Sequence, residues 1–223
     1  MTARPPVRLL FHPVALLALA LACGGGQSGP APAPQPAPRR PVQVLHPLVT
    51  PAIAGQQVSV FPLTILVSDD TLLTQQPLAD HAQALHWADS LIGAALQSRS
   101  PEVLWILPPE LRKIARRAAG LATDPDHMGH AVLRSTKLNE IPDPLRSQMR
   151  GLVALAGGRF ALVPAALSFT AEPGIGLRAE LSMALADTRT GKVGWRTVAT
   201  GFGATPLNAL KAALEALIPL NLS

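Results

Sequence analysis

The chain has 223 residues, with 19 Lys and Arg against 14 Asp and Glu and a formal net charge of +5. Five Phe, three Trp and no Tyr leave little aromatic surface on which bases could stack, and the positive charge is mild, so a nucleic-acid partner is set aside. With a single cysteine there is no disulfide framework within the chain.

The first residues read as an export signal. Arg4 and Arg8 form a positive n-region, residues 14–21 an apolar h-region, and Ala20-Leu21-Ala22 a small-residue exit. The apolar run is shorter than the roughly 20 residues that cross a bilayer, and His12-Pro13 shorten it further. Cys23 follows at once. Ala20-Leu21-Ala22-Cys23 resembles a bacterial lipobox, although Ala20 stands where Leu is commonest. That resemblance implies removal of residues 1–22 and acylation of Cys23 by chains such as palmitate. Each buried methylene contributes ~0.8 kcal/mol, so two or three chains make a stable anchor. By the same resemblance, Gly24 in place of Asp omits an inner-membrane retention signal and implies the outer membrane, facing the periplasm; in a single-membrane organism the same anchor leaves the domain on the cell exterior. The alternative is an ordinary secretory signal with an incidental cysteine.

Residues 23–41 read as a tether. GGGQSG is flexible and PAPAPQPAP favours extended polyproline II, at ~3.1 Å per residue. The export signal holds two arginines and no acid, so the remainder carries 17 basic and 14 acidic residues, net +3. Residues 42–223 suit one α/β domain, Ala- and Leu-rich enough to bury a core.

Within that domain, 58–67 is β-branched and apolar on both faces, a buried strand in which Pro62 demands a bulge or a change of pairing. Residues 78–97 carry Ala82, Leu85, Ala88, Ile92 and Leu96 at helical spacing, widened by Leu91 and Ala95. Residues 102–107 predict a second buried strand, and PPELRKIARRAAG a helix with Pro at its start and Gly120 after its end. Residues 121–144 predict a long loop holding a short helix, and 145–156 another helix. Three strands follow. The first, 159–170, is interrupted by Pro164. The second, 175–185, alternates strictly, with Leu177, Ala179, Leu181 and Met183 on one side and Arg178, Glu180 and Ser182 on the other. The third, 193–203, is its hairpin partner across the turn 188–192. Residues 206–217 close the chain as an amphipathic helix. The order predicts an α/β fold: a mixed sheet of about five strands with helices packed on it, a terminal β-hairpin and a C-terminal helix.

The strands VSVFPL and RFALVPAAL, and the hairpin LADTRTGKVGW before a final helix, resemble a periplasmic α/β domain. It is similar to the N-terminal domain of the TolB translocation protein, to the curli-secretion lipoproteins and to lipoprotein activators of penicillin-binding proteins. The most specific segment is Asp187-Thr-Arg-Thr-Gly-Lys-Val-Gly-Trp195. In such a turn Asp187 and Thr190 bond nearby amides, Gly191 takes a positive φ, and Trp195 caps the sheet. This is a signature of fold, not of catalysis. Residues 98–150 depart from the resemblance.

Chemistry-bearing clusters are sparse. Asp80, His81, His86 and Asp89 lie on the first predicted helix, but one helical face offers too few ligands for zinc; surface polarity accounts for them. Asp124, Asp126, His127 and His130 form a second cluster, in which H-x-x-H brings both rings to one side if the segment is helical. Asp124-Pro125-Asp126 also reads as a turn and cap. No nucleophile elbow or phosphate loop is present, and no cofactor is expected. Arg112, Lys113, Arg116 and Arg117 form a basic helix face opposite Leu111, Ile114, Ala115 and Ala118, either simply solvated or a docking surface for an acidic partner, lipid phosphates or cell-wall polymer.

Three functions therefore stand. The first is a non-enzymatic, membrane-anchored envelope lipoprotein acting as an accessory, assembly or protein-binding domain, its site residues being Cys23 for lipidation and Arg112, Lys113, Arg116 and Arg117 for a partner. The second is an envelope hydrolase or metal-dependent enzyme using His127 and His130. The third is a small-ligand binder using a cleft at the sheet.

Overall fold

A computed structural model describes residues 43–44 and 46–219, all within one compact unit, Ala37–Ser223. The export signal at 1–22, Cys23 and the tether at 23–41 lie outside the described residues. The long β5 (Phe160–Glu172), β6 (Gly176–Asp187) and β7 (Val193–Gly203) run antiparallel to one another. The short β1 (Gln43–Val44) pairs antiparallel with the outside of β7. On the other flank of β5, β2 (Gln57–Val60), β3 (Leu66–Ser68) and, beyond β2, β4 (Leu104–Ile106) are all parallel. The result is a mixed seven-stranded sheet ordered β1-β7-β6-β5-β2-β4, with β3 added on β5.

The two strands beyond the predicted five have simple causes. The segment predicted as one strand at 58–67 divides at Pro62, which cannot donate to a ladder. Phe61 still donates its amide to the Leu162 carbonyl at 2.9 Å. Pairing with β5 then resumes only at Leu66, opposite Leu167. Pro164 in β5 sits beside a register shift between Pro164 and Ala166, so two prolines break the ladder at facing places. The other addition is β1. A correction applies to β4: it is an edge strand, and Leu104 is 58 % exposed, not buried as its apolar sequence suggested.

Helices cover both faces. On one side α1 (His81–Arg99) and α4 (Pro206–Leu217) bury Ala84, Ala88, Ile92, Leu96, Leu210, Leu214 and Leu217 against Leu162, Leu167, Phe169, Leu181 and Met183 of the sheet. On the other, α2 (Pro108–Arg117) and α3 (Leu145–Leu155) bury Leu111, Met149, Leu152 and Val153 against Phe61, Val163 and Ala184. The helices start where their caps sit. Asp80 accepts the Gln83 amide at 3.0 Å, and Thr205 accepts the Asn208 amide at 3.3 Å, each satisfying one orphan donor of a first turn. The inward stripe of α1 begins at Ala84; Ala82 is exposed. Residues 121–144 hold no α-helix. They form two 3-10 turns, Pro125–His127 and His130–Arg134, separated by Gly129 at φ 71°.

The turn after β6 follows its sequence closely. Asp187 accepts the amides of Arg189 at 3.0 Å and Thr190 at 3.3 Å, and Thr190 Oγ1 accepts the Lys192 amide at 3.3 Å. Gly191 takes φ 82° against the Arg146 side chain. Trp195 donates Nε1–H to the Pro47 carbonyl at 3.2 Å.

Candidate functional site

Among the described residues, buried charge concentrates where α1, α2 and the first 3-10 turn meet. Asp89 is on the inward face of α1 and only 5 % exposed. Its Oδ1 accepts the Leu63 amide at 2.8 Å, an amide freed because Pro62 ends the β2 ladder. Its Oδ2 accepts from Arg112 Nη2 at 2.9 Å. Arg112 also forks onto Asp126, donating Nε–H at 2.8 Å and Nη2–H at 2.7 Å. The planar guanidinium suits this two-carboxylate bridge. Burial pushes the Asp89 carboxyl up, against the pull of the Leu63 amide and Arg112. Asp126 is wetter, and its bonds to Arg112 hold it below the usual carboxylate range.

The structure thus redistributes the sequence-predicted residues. Asp89 is an internal strut, not a solvent-facing polar residue. The sequence carried the signal: Asp89 is four residues after Leu85 and three before Ile92, inside the apolar stripe. Arg112 is turned inward and spent on two carboxylates. Lys113 pairs on the surface with Glu110 at 3.2 Å. Arg116 and Arg117 are exposed, with no ion-pair partner among the described residues. Asp80 is a helix cap, His81 and His86 are exposed, and Ser90 donates to the His86 carbonyl at 2.8 Å.

His127 and His130 part company. Gly129, in the left-handed region, breaks the helix that would have aligned them. His127 is largely exposed and sits 3.3 Å from Asp124. His130 is fully buried, with Nε2 2.7 Å from the Pro62 carbonyl and its ring 5.3 Å from that of Phe61, edge on. Asp124 accepts the Asp126 amide at 3.1 Å, as a turn-starting Asp does. Among the described residues no group of three or more His, Cys, Asp or Glu converges as metal ligands would.

Two clefts flank the triad, and Asp126 lines both. One of about 320 Å³ lies between the end of α2 and the following loop, walled by Arg112, Arg116, Gly120 and Asp124. The other, of about 430 Å³, is bounded by Ile65, His127, Val132 and Arg134. A third groove of about 380 Å³ runs between α1 and α4, with Arg99 and Lys211 on its walls. None of the described helices is long and apolar enough to cross a membrane.

None of the protein families and none of the curated proteins compared with the sequence matches it. Solved structures do. The C-terminal domain of LpoB from Salmonella enterica is similar at 15% identity and a TM-score of 0.39, over 66% of this chain and 82% of that one. PelC from Paraburkholderia phytofirmans, solved as a dodecamer, is similar at 16% identity and a TM-score of 0.39, over 82% and 99%. The lipoprotein GNA1162 from Neisseria meningitidis is similar at 17% identity and a TM-score of 0.37, over 66% and 83%. These likenesses transfer no role to any residue of this chain.

Proposed function

We propose that this chain is an envelope lipoprotein: residues 1–22 direct export, Cys23 carries the acyl anchor, and the tether at 23–41 holds a non-enzymatic α/β domain off the outer membrane to bind a periplasmic protein. The docking face is α2, through Arg116 and Arg117 with Lys113 beside them. One observation carries this assignment. Along a single helix the cations are divided: Arg112 is engaged by two carboxylates, whereas Arg116 and Arg117 face solvent with no ion-pair partner among the described residues. The buried pairing fixes the helix, so the two free guanidiniums are presented from a rigid base and suit an acidic protein surface. The separation of His127 from His130 speaks against the hydrolase alternative, which needed both rings at one point.

The test is crosslinking in intact cells with the full-length chain, identifying neighbours by mass spectrometry. A single envelope protein should be enriched with the anchored wild type and fall by about tenfold with Arg116→Glu/Arg117→Glu, a cost of ~1.4 kcal/mol in binding. An unchanged yield in the charge-reversed variant removes α2 as the docking face. No reproducible neighbour for the wild type removes the accessory role itself.

A further inference from the structure

His130 belongs to neither the ion triad nor the exposed face of α2, and its surroundings are unusual. A carbonyl only accepts, so the 2.7 Å contact with Pro62 requires the proton on Nε2. Nδ1 is then a bare lone pair, buried and with no partner among the described residues. The acceptor is also singular. Pro62 stands in the gap between β2 and β3, so His130 bonds the sheet at the place where its ladder is broken. The segment 125–134 has few other polar ties to the domain. Asp126 meets Arg112, Arg196 of β7 donates to the Leu133 carbonyl, and Met128 and Leu133 supply the apolar contacts with the core. Gly129 supplies a pivot at its middle.

We propose that His130 is an acid-sensitive latch: neutral, it fastens the segment 125–134 to the break between β2 and β3, and protonated, it lets that segment go while the rest of the domain stays folded. Protonation would place a second N–H at Nδ1, where nothing accepts it, and a charge where no water screens it.

The neighbouring charges do not offset that cost. The carboxylates facing this region are Asp126 of the same segment and Asp89 of α1, and both are already engaged by Arg112 of α2. Arg196 brings a further positive charge from β7, and Arg134 one from the same turn. The strands β5 and β6 contribute Val163, Ala165, Ala184 and Ala186 to this cluster, none of them titratable. His86 and His127 are exposed and bring no carboxylate to the buried ring. Burial accordingly holds the His130 ring below its ordinary range, despite the Pro62 carbonyl and Asp126. The latch is therefore fully closed above the ordinary imidazole pKa of about 6.5 and weakens as pH falls below it.

Hydrogen–deuterium exchange of the full chain at pH ~7.5 and ~5.0, corrected for intrinsic rates, tests this directly. Peptides within 121–134 should lose protection by about tenfold at the lower pH, with α3 and β5–β7 unchanged. His130→Gln keeps a donor but cannot titrate, and should abolish the response; His127→Gln should leave it intact. A response that persists in His130→Gln, or a loss of protection spread across β5–β7, overturns the latch. Should His130→Gln not fold, the ring of the wild type followed by NMR decides instead. Titration of His130 in step with the exchange change supports the latch, and titration without it overturns it.

Discussion

Asp89 shows how one buried carboxylate can hold three elements. It satisfies an amide that Pro62 orphaned, and it anchors the guanidinium that ties α2 and the first 3-10 turn to α1. Truncation leaves that amide unpaired and Arg112 short of a counter-charge, so Asp89→Ala should cost about 3 kcal/mol in urea unfolding. Asp89→Asn, which keeps the acceptor for Leu63, should cost clearly less. Asp187 acts at the surface. Its bond from Arg159, helped by the amides of Arg189 and Thr190, holds its carboxyl down to about 2. A depressed carboxyl contributes stability that is present above the ordinary value and lost as pH falls toward 2. Asp187→Asn should therefore flatten the acid limb of a stability-against-pH curve, measured by thermal melts between pH ~5 and ~2. The sequence disclosed the Asp187 turn because its bonds are local, between residues two to five apart. It disclosed Asp89 only as a polar residue in an apolar stripe, since Leu63 and Arg112 are distant in the chain.

Among elements, α4 and β7 show the tightest approach. Gly201 lies on the buried side of β7, and a Cβ there would meet the backbone of α4 at Ala209 and Ala213. A helix backbone cannot yield as a side-chain tip does. Gly201→Ala should push α4 off the sheet and cost about 3 kcal/mol, read as a lowered Tm. Gly194, on the same strand with open space around a Cβ, should accept alanine with a change of about 0.5 kcal/mol or less. Most element boundaries were legible from local chemistry. The apolar stripe of residues 206–217 predicts the final helix, and α4 spans Pro206–Leu217, with Thr205 capping its first turn. The position of β4 was not legible. An apolar tripeptide reads alike in the centre and at the edge of a sheet, and only the strand order places Leu104 in solvent.

For the whole molecule, the proposed anchor makes a prediction independent of the fold. Wild-type protein should fractionate with membranes and resist extraction by salt and carbonate. Cys23→Ser should appear in the soluble envelope fraction, since a chain without its acyl groups loses ~0.8 kcal/mol for each methylene no longer buried. Equal membrane association of the two forms would sink the anchor. The sheet itself divides the domain into two chemically different sides. The side of α1 and α4 buries a large apolar cluster that includes Ile92, Leu96, Leu162, Leu210 and Leu214. The side of α2 and α3 carries Arg112, His130 and the exposed Arg116 and Arg117, with Asp89 reaching Arg112 from α1.

By itself the sequence determined the features written in contiguous residues. These are the strand–helix order, the Asp187 turn and the effect of Pro62 and Pro164, all set by bonds and periodicities spanning a few residues. Tertiary structure alone decided which charges are free. It turned Arg112 inward and left Arg116 and Arg117 outside, buried His130 while exposing His127, and put Asp89 beneath a proline-made gap in the sheet. The physical reason is that desolvation and pairing depend on neighbours brought from far along the chain, and helical spacing fixes only which face a residue occupies, never what that face meets.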